Sequence, residues 1–406
     1  MSETQRLSGS AEIVIVGGGV AALEALMALR AHAGDALGIT LVAPQPEFVY
    51  RPMMVAEPFD AGSVRRYPLR QIGSDFGARV LQGAVTGVDA RERRVVLRSG
   101  DTIGYDSLIL APGARMLRAF DDAIAFGEPD SGAAMRGLLV DLDEGRARRI
   151  AFVAPTAAGW LLPLYELALM TARHVADRGL DAELVLVTPE PQPLALFGPG
   201  PSAVIARLLE ASGVEFIGST LGDVTAGGVR LIPGDRVVPV DRTVALPLVR
   251  GPKLDGVPAE PEYGFIPVDR HGRVPGLEHV YAAGDATDFP IKQGGLAAQQ
   301  ADAAIRHLTA QAGGLLPPDP FRPVLRGRLM TGQVDRYLRH DPESGDAVLD
   351  EPLWEPAAKV VGHYLAPWLA YQHPTHPAPR DDIERVTVDH ELGLEPLGRI
   401  ERQRST

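Results

Sequence analysis

Residues 12–30 read EIVIVGGGVAALEALMALR, an apolar run that stops at three glycines and resumes with helical spacing. Ile13, Val14, Ile15 and Val16 are four β-branched residues in succession, as a strand buried on both faces requires. Gly17, Gly19 and Ala22 fit the dinucleotide pattern GxGxxA, and each has its own physical task. Gly17 permits a tight turn, Gly19 lets a pyrophosphate approach the backbone, and Ala22 lets the helix pack close to the strand. The electropositive helix start then faces the phosphates. The string alone is common; its place between a buried strand and a helix makes it informative.

The chain has 406 residues, too many for one core, so two or three domains are expected. With 45% apolar and 23% charged residues it has the composition of a soluble globular protein. The net charge of −12 argues against a nucleic-acid partner, whose phosphates it would repel. Residues 1–10 lack an apolar core, so the reading is a short disordered lead on a cytoplasmic protein rather than a signal peptide or membrane span. There is no cysteine, which removes disulfides, thiolate metal sites and sulfur nucleophiles.

Gly38 to Val42 reads as the second parallel strand. An acid at its end usually holds a ribose, but Ala43 and Pro44 stand there, which leaves Gln45, Glu47 or backbone groups for that contact. Next comes EFVYRPMM at 47–54, where Tyr50, Arg51 and Pro52 form either a packed loop or a wall facing a ligand. Short runs at Arg79–Gln82, Arg94–Arg98 and Ser107–Ala111 predict a small β-meander returning to the parallel sheet. The return ends in Ala111-Pro112-Gly113, a sharp turn.

The design then repeats. RIAFVAPTAAGW at 149–160 is again strand and turn, Leu164 to Val175 again a helix, Ala182 to Val187 again a strand, and Thr243 to Pro247 echoes the Ala111 turn. In this copy Ala154 and Thr156 replace the glycines and Trp160 follows Gly159, so a Cβ obstructs the pyrophosphate approach. A third stretch, HVYAAGDAT at 279–287 followed by KQGGLAAQ at 292–299, brings Gly284 and Asp285 to a strand end and opens a helix after Gly295. A carboxylate there can bind a polyol, and a helix start can stabilise negative charge on a ring. With residues 17–22, this points to a cofactor carrying both a pyrophosphate and a ribityl chain.

From Pro318 onward Pro-rich joints alternate with short strands, as in Phe321–Met330, and a helix is expected over Ala357–Tyr371. Its stripe of Val361, Tyr364, Leu365 and Trp368, with Trp354 upstream, is expected to dock on the protein's own core rather than on a membrane. His373 and His376 lack the further ligands a metal site needs.

Together the GxGxxA strand, the Ala111-Pro112-Gly113 turn, the repeated βαβ half and Ala283-Gly284-Asp285 resemble the two-dinucleotide-domain flavoproteins of the pyridine nucleotide-disulfide oxidoreductase superfamily over residues 11 to about 312. PLYELALM at 163–170, VTPEP at 187–191 and FGPG at 197–200 resemble stretches of the sulfide:quinone oxidoreductases and flavocytochrome c sulfide dehydrogenases within it. The type II NADH dehydrogenases share the plan. The resemblance implies an α/β fold of two Rossmann-like dinucleotide domains with a smaller C-terminal α+β region. The FAD domain would run over 11–115 and 268–315, the second, NAD-like domain over 116–267, and the C-terminal domain over 316–406. It implies FAD held by Gly17, Gly19, Ala22, Gln45, Arg51, Pro52, Val85, Ala111, Pro112, Gly113, Gly284, Asp285, Lys292, Gln293 and Leu296. Lys292, Trp160 and Tyr50 would lie where the chemistry occurs.

Two departures limit the analogy. The family oxidises sulfide through a cysteine pair, and one of those cysteines falls at Trp160; the NADH site of the dehydrogenases needs the degraded second fingerprint. The expectation is an FAD-dependent oxidoreductase with a small-molecule donor that is neither sulfide nor NAD(P)H at the usual site, and a quinone or protein acceptor. An NAD(P)H:quinone-type reductase and a flavin-binding subunit without turnover stay open, as does a homodimer. Trp160 either packs near the flavin or fills a core.

Overall fold

The computed structural model describes residues 11–156, 158–313 and 317–372; His373 and His376 lie outside them. The quoted stretch is a strand, Glu12–Val16, then helix α1, Val20–Ala33. Ile13 to Val16 are buried on both sides of a five-stranded parallel sheet ordered Val280–Ala282, Ser107–Leu110, Glu12–Val16, Gly38–Ala43, Arg79–Gln82. Arg79–Gln82 thus does not belong to the meander, as its alternating pattern suggested. Short helix α2, Leu69–Asp75, returns the chain so that this run pairs in parallel with Gly38–Ala43 as the edge strand. The meander is Val85–Asp89, Arg94–Leu97 and Thr102–Gly104.

A second parallel sheet, begun by a strand just before helix α3, Ser131–Asp143, repeats the plan in the order Ile124–Ala125, Arg242–Ala245, Arg149–Val153, Glu183–Val187, Val214–Ile217. Helix α4, Leu162–Arg178, and helix α5, Pro199–Ala211, cover it. It too carries a three-stranded antiparallel unit, Leu221–Thr225, Gly228–Ile232 and Val237–Val238, where the first copy has its meander. The chain then rejoins the first sheet through Val280–Ala282 and runs into helix α6, Gly294–Gln311, which packs along α1. The C-terminal part is an antiparallel sheet of Leu325–Leu329, Arg336–Asp341 and Gly345–Leu349, then helix α7, Leu365–Gln372. This is the α/β architecture of two Rossmann-like halves with a smaller C-terminal region that the sequence predicts.

The last helix is shorter than its apolar stripe suggests. Residues 357–364 are irregular, with bends at 359–360 and 363–364, because they are tied elsewhere. Lys359 is bound to Glu166 of α4, and the backbone reaches helical geometry only where Glu24 of α1 accepts the Tyr364 and Leu365 N–H groups. The stripe divides accordingly: Val361 packs with Tyr337 and Trp354, while Tyr364, Leu365 and Trp368 pack on the first core. Among the described residues no helix is long and apolar enough to cross a membrane.

Everything converges on Gly17. Its φ is +128°, and a Cβ built on it would lie 2.0 Å from the Ala111 carbonyl oxygen. Gly17→Ala should therefore lower unfolding stability by roughly 1–3 kcal/mol through backbone strain alone, and by more through the clash. Thermal denaturation of the purified variant checks this; a melting profile like that of the parent would show that the two strand ends can separate freely.

Candidate flavin site

Three chain segments meet at the carboxyl ends of the first sheet, where α/β folds bind ligands. The first is the start of α1, whose N-cap Gly19 carries no side-chain cap and whose first turn holds no acid. A Cβ on Gly19 would meet nothing within 4 Å, so the backbone there faces open space. The second is the turn at Gly284–Ala286. Gly284 has φ +78°, and its missing Cβ would stand 3.0 Å from Ala21 and 3.3 Å from Ala297. The third is the start of α6, where the Gln293 side chain accepts the Leu296 N–H at 2.8 Å. Two helix N-termini and a strand end thus lie side by side.

Asp285 is half-buried, and among the described residues no donor meets its carboxylate. Burial pushes its carboxyl up, while Lys292 and Arg51 pull it back down, so both cations stand near it. Lys292 donates to the Thr287 carbonyl at 2.5 Å and lies 3.5 Å from the centre of the Phe265 ring. Burial brings its ammonium down to about 8, against the opposing pull of Asp285, Asp288 and Glu260. Tyr50 is half-buried and accepts the Val360 N–H at 3.3 Å; desolvation raises its phenol. Arg51 and Pro52 begin the 3-10 turn Arg51–Val55.

Ala22 is fully buried, Ala111 nearly so, and Gly113 turns with φ +75°. Gln45 is exposed beyond the second strand, and Glu47 faces Arg66 at 3.7 Å rather than the site. Val85 opens the meander beside a bulge and packs against that layer's core. The second half reaches in at Gly159, whose carbonyl accepts the Lys292 N–H at 3.0 Å and whose absent Cβ would sit 2.3 Å from Lys292 Cγ. Next to it Trp160 turns its indole onto Phe197, with ring centroids 5.9 Å apart. The residue is therefore a neighbour of Lys292 by backbone and a core contact by side chain.

Sequence reading missed several supports. Gln300 accepts the Gly284 N–H at 2.7 Å, and Thr287 O–H donates to the Gly284 carbonyl at 2.9 Å, so together they hold the turn before Asp285. Glu166 and Lys359 form a buried ion pair at 2.6 and 2.7 Å, and Glu166 also accepts the Met330 N–H. Burial raises the acid and lowers the base, each held in its charged form by the other. The signal available in the sequence was a polar residue within an apolar helical run, which by itself names no partner.

The profile of the pyridine nucleotide-disulphide oxidoreductase family matches residues 11–132. Those residues therefore carry the pattern of that family's first dinucleotide half. It is 25% identical over 309 residues to the sulfide-quinone reductase of Aquifex aeolicus, covering 68% of this chain and 69% of that one. With the rhodocoxin reductase of Rhodococcus erythropolis it shares 28% over 296 residues, 69% and 65% of the two chains. The crystal structure of the Aquifex sulfide:quinone oxidoreductase superposes with a TM-score of 0.76 over 84% of this chain and 86% of that one at 19% identity, a likeness of fold. The chain is an FAD-dependent oxidoreductase.

The site fits that cofactor. Two uncovered features stand at its two ends, the open backbone of Gly19 for a pyrophosphate and the unpaired Asp285 carboxylate for a polyol. Gly19→Ala should fold normally, since its Cβ finds free space, yet bind FAD more weakly. Asp285→Ala should lose about 1.5–3 kcal/mol of FAD affinity while the apoprotein becomes more heat-stable, because a half-buried acid is removed. Fluorescence titration with FAD and melting of the apoproteins read the two effects separately. Unchanged affinity in both variants would remove the cofactor from this end of the sheet.

Proposed function

We propose that this chain oxidises a small organic donor, neither sulfide nor NAD(P)H, and passes the electrons to a quinone. Bound FAD supplies the electron transfer; the protein supplies binding, orientation and protons. The observation that carries the reading is Trp160. It follows the glycine packed on Lys292 at the position where the resemblance places a redox cysteine, and the chain has 0 cysteines. No thiolate exists to take up sulfide.

A second feature bears on the nicotinamide route. Glu190 follows the strand Glu183–Val187, where a dinucleotide domain puts its ribose-binding acid. Here Tyr165 donates to Glu190 Oε2 at 2.6 Å, and the Leu194 N–H bonds the same phenol at 3.2 Å. The other carboxylate oxygen is buried without a partner, so neither oxygen faces a nucleotide. Together with Ala154, this supports a half kept for packing rather than for NADH. The likeness to a quinone-reducing relative supports the acceptor. The likeness to rhodocoxin reductase supports a second reading, a protein acceptor.

Lys292 would hold a proton near the flavin, and Asp285 would keep that ammonium charged. Below about pH 8 Lys292 is cationic, and above it the charge is lost. The rate of flavin reduction by a working donor should fall as pH rises through about 8, and Lys292→Met should abolish that limb. Stopped-flow traces of the anaerobic protein measure both; an identical limb in the Met variant would assign it elsewhere.

Sulfide should give no long-wavelength adduct band and no quinone reduction, and NADH should bleach the flavin only slowly. Rapid saturable bleaching by NADH or a sulfide adduct would overturn the proposal. Failure of a broad donor panel to change the spectrum would instead favour a carrier subunit.

A further inference from the structure

Helix α1 is buried on every side from Ala21 to Leu29, and Glu24 sits within that run. Both its oxygens are engaged at 2.8 Å, Oε1 by the Tyr364 N–H and Oε2 by the Leu365 N–H. A side chain of the first helix thereby caps the last one. The backbone of Gly362 is so close that a Cβ there would stand 2.5 Å from Glu24 Oε2. Back along the same segment, Val360 covers Gly294 at the start of α6 and donates to Tyr50, and Lys359 is bound to Glu166. Residues 359–365 therefore form a strap over the edge of the flavin site, anchored by one buried acid at each end.

Among the described residues, one anchor is ion-paired and the other is not. Glu166 is neutralised by Lys359, whereas Glu24 is met by a second acid, Asp302 of α6, whose Oδ1 is buried and unpaired. Asp302, Gly362 and His363 line a cavity of about 620 Å³. Around the pair stand Arg306 of α6, bound to Asp319 at 3.4 Å, His32 of α1, bonded to the Tyr364 phenol at 3.2 Å, and His363 and Tyr364 of the strap. The cavity also carries Arg322, paired with Glu343 at 3.1 Å, and Asp341, which accepts the Glu343 N–H.

We propose that Glu24 and Asp302 make this segment a pH-operated strap, closed over the flavin edge while both carboxyls are protonated and released as they ionise. Closing the strap takes Glu24 fully out of water and leaves Asp302 half-buried with one oxygen enclosed, which penalises their charged forms and, because like charges then face each other, penalises the second ionisation further. Opening returns them to solvent. Burial pushes Glu24 to about 7, and burial and Glu24 together push Asp302 well above the carboxylate range. The sign follows from linkage. The closed form binds protons more tightly than the open form, so its advantage is full at pH values below the ordinary carboxyl range. That advantage shrinks as pH rises through about 7 and continues to shrink while Asp302 titrates. His363, brought down to about 4 by burial and Arg306, is already neutral in that window, and Tyr364 titrates above it.

The strap belongs to the packing of the chain and holds whichever donor or acceptor the flavin serves; its effect on access to the flavin rests on the proposed function. Hydrogen–deuterium exchange of the FAD-loaded protein tests it directly through the amides of Tyr364 and Leu365, corrected for the intrinsic pH dependence of exchange. Protection of peptides spanning residues 360–369 should fall with rising pH between about 5 and 8, approaching tenfold per unit for each proton released. Glu24→Gln and Asp302→Asn should each flatten the fall, and the double variant should be level. Glu24→Gln keeps one acceptor for the two strap N–H groups, so thermal melting checks that it folds, and Asp302→Asn carries the test where Glu24→Gln does not. Protection that stays constant or rises with pH in the parent, or a slope that survives in the double variant, would overturn the proposal. The exchange profile is read without turnover, so a failed donor panel leaves it standing.

Discussion

The carbonyl oxygen of Ala111 lies where a Cβ of residue 17 would be, and the site depends on that contact. Because Gly17 has none, the strands Glu12–Val16 and Ser107–Leu110 end level with one another. The start of α1 is then set against the turn at Gly284, which in turn lacks a Cβ where Ala21 and Ala297 approach. Two helix N-termini are thus held beside one strand end by close backbone packing. Their partial positive charges converge without any side chain neutralising the first of them. The anion-binding character of the site is a consequence of glycine placement.

The second half shows what the same topology becomes when that constraint is lifted. Its strand order repeats the first, yet Ala154 stands fully buried at the turn, and the acid after its second strand is turned onto Tyr165. A phenol bonded to a carboxylate is satisfied without a ligand, whereas Asp285 is not. The fold is duplicated, but the acid of the second copy has a protein donor on one oxygen and buries the other, whereas Asp285 lies beside cations at the open helix starts. The second copy still shapes the site, because Gly159 seats the backbone of Lys292, while Trp160 beside it packs on Phe197.

Much of this was legible in the residues because it rests on local periodicity. Four β-branched residues before three glycines give the strand and turn, and the echo at 149–160 gives the duplication. What was not legible rests on contacts between distant segments. Arg79–Gln82 alternates like a hairpin strand, but pairing in the parallel sheet is decided by α2 before it. The stripe from Val361 to Trp368 has helical spacing, but Lys359 is held by Glu166 and the helix starts where Glu24 provides acceptors. The roles of Gln300 and Thr287 likewise depend on a turn that brings them to Gly284. No spacing rule contains those distances.

The buried acids divide by whether a cation accompanies them into the core. Glu166 enters with Lys359, and the pair stays charged because each partner offsets the other's desolvation. Asp285 enters with Lys292 and Arg51 nearby, and among the described residues no donor meets its carboxylate. Glu24 enters with backbone N–H groups and another acid, so burial shifts it toward its neutral form while the N–H groups oppose that shift. The three carboxyls therefore differ in what they can do, although each interrupts an apolar run or turn in the same way. A paired acid fixes position, an unpaired acid beside cations can hold a polyol, and an unpaired acid beside another acid ties a conformation to proton concentration. Which of these a glutamate becomes is decided by the charge of the segment that folds over it, here a strap more than 300 residues further along the chain.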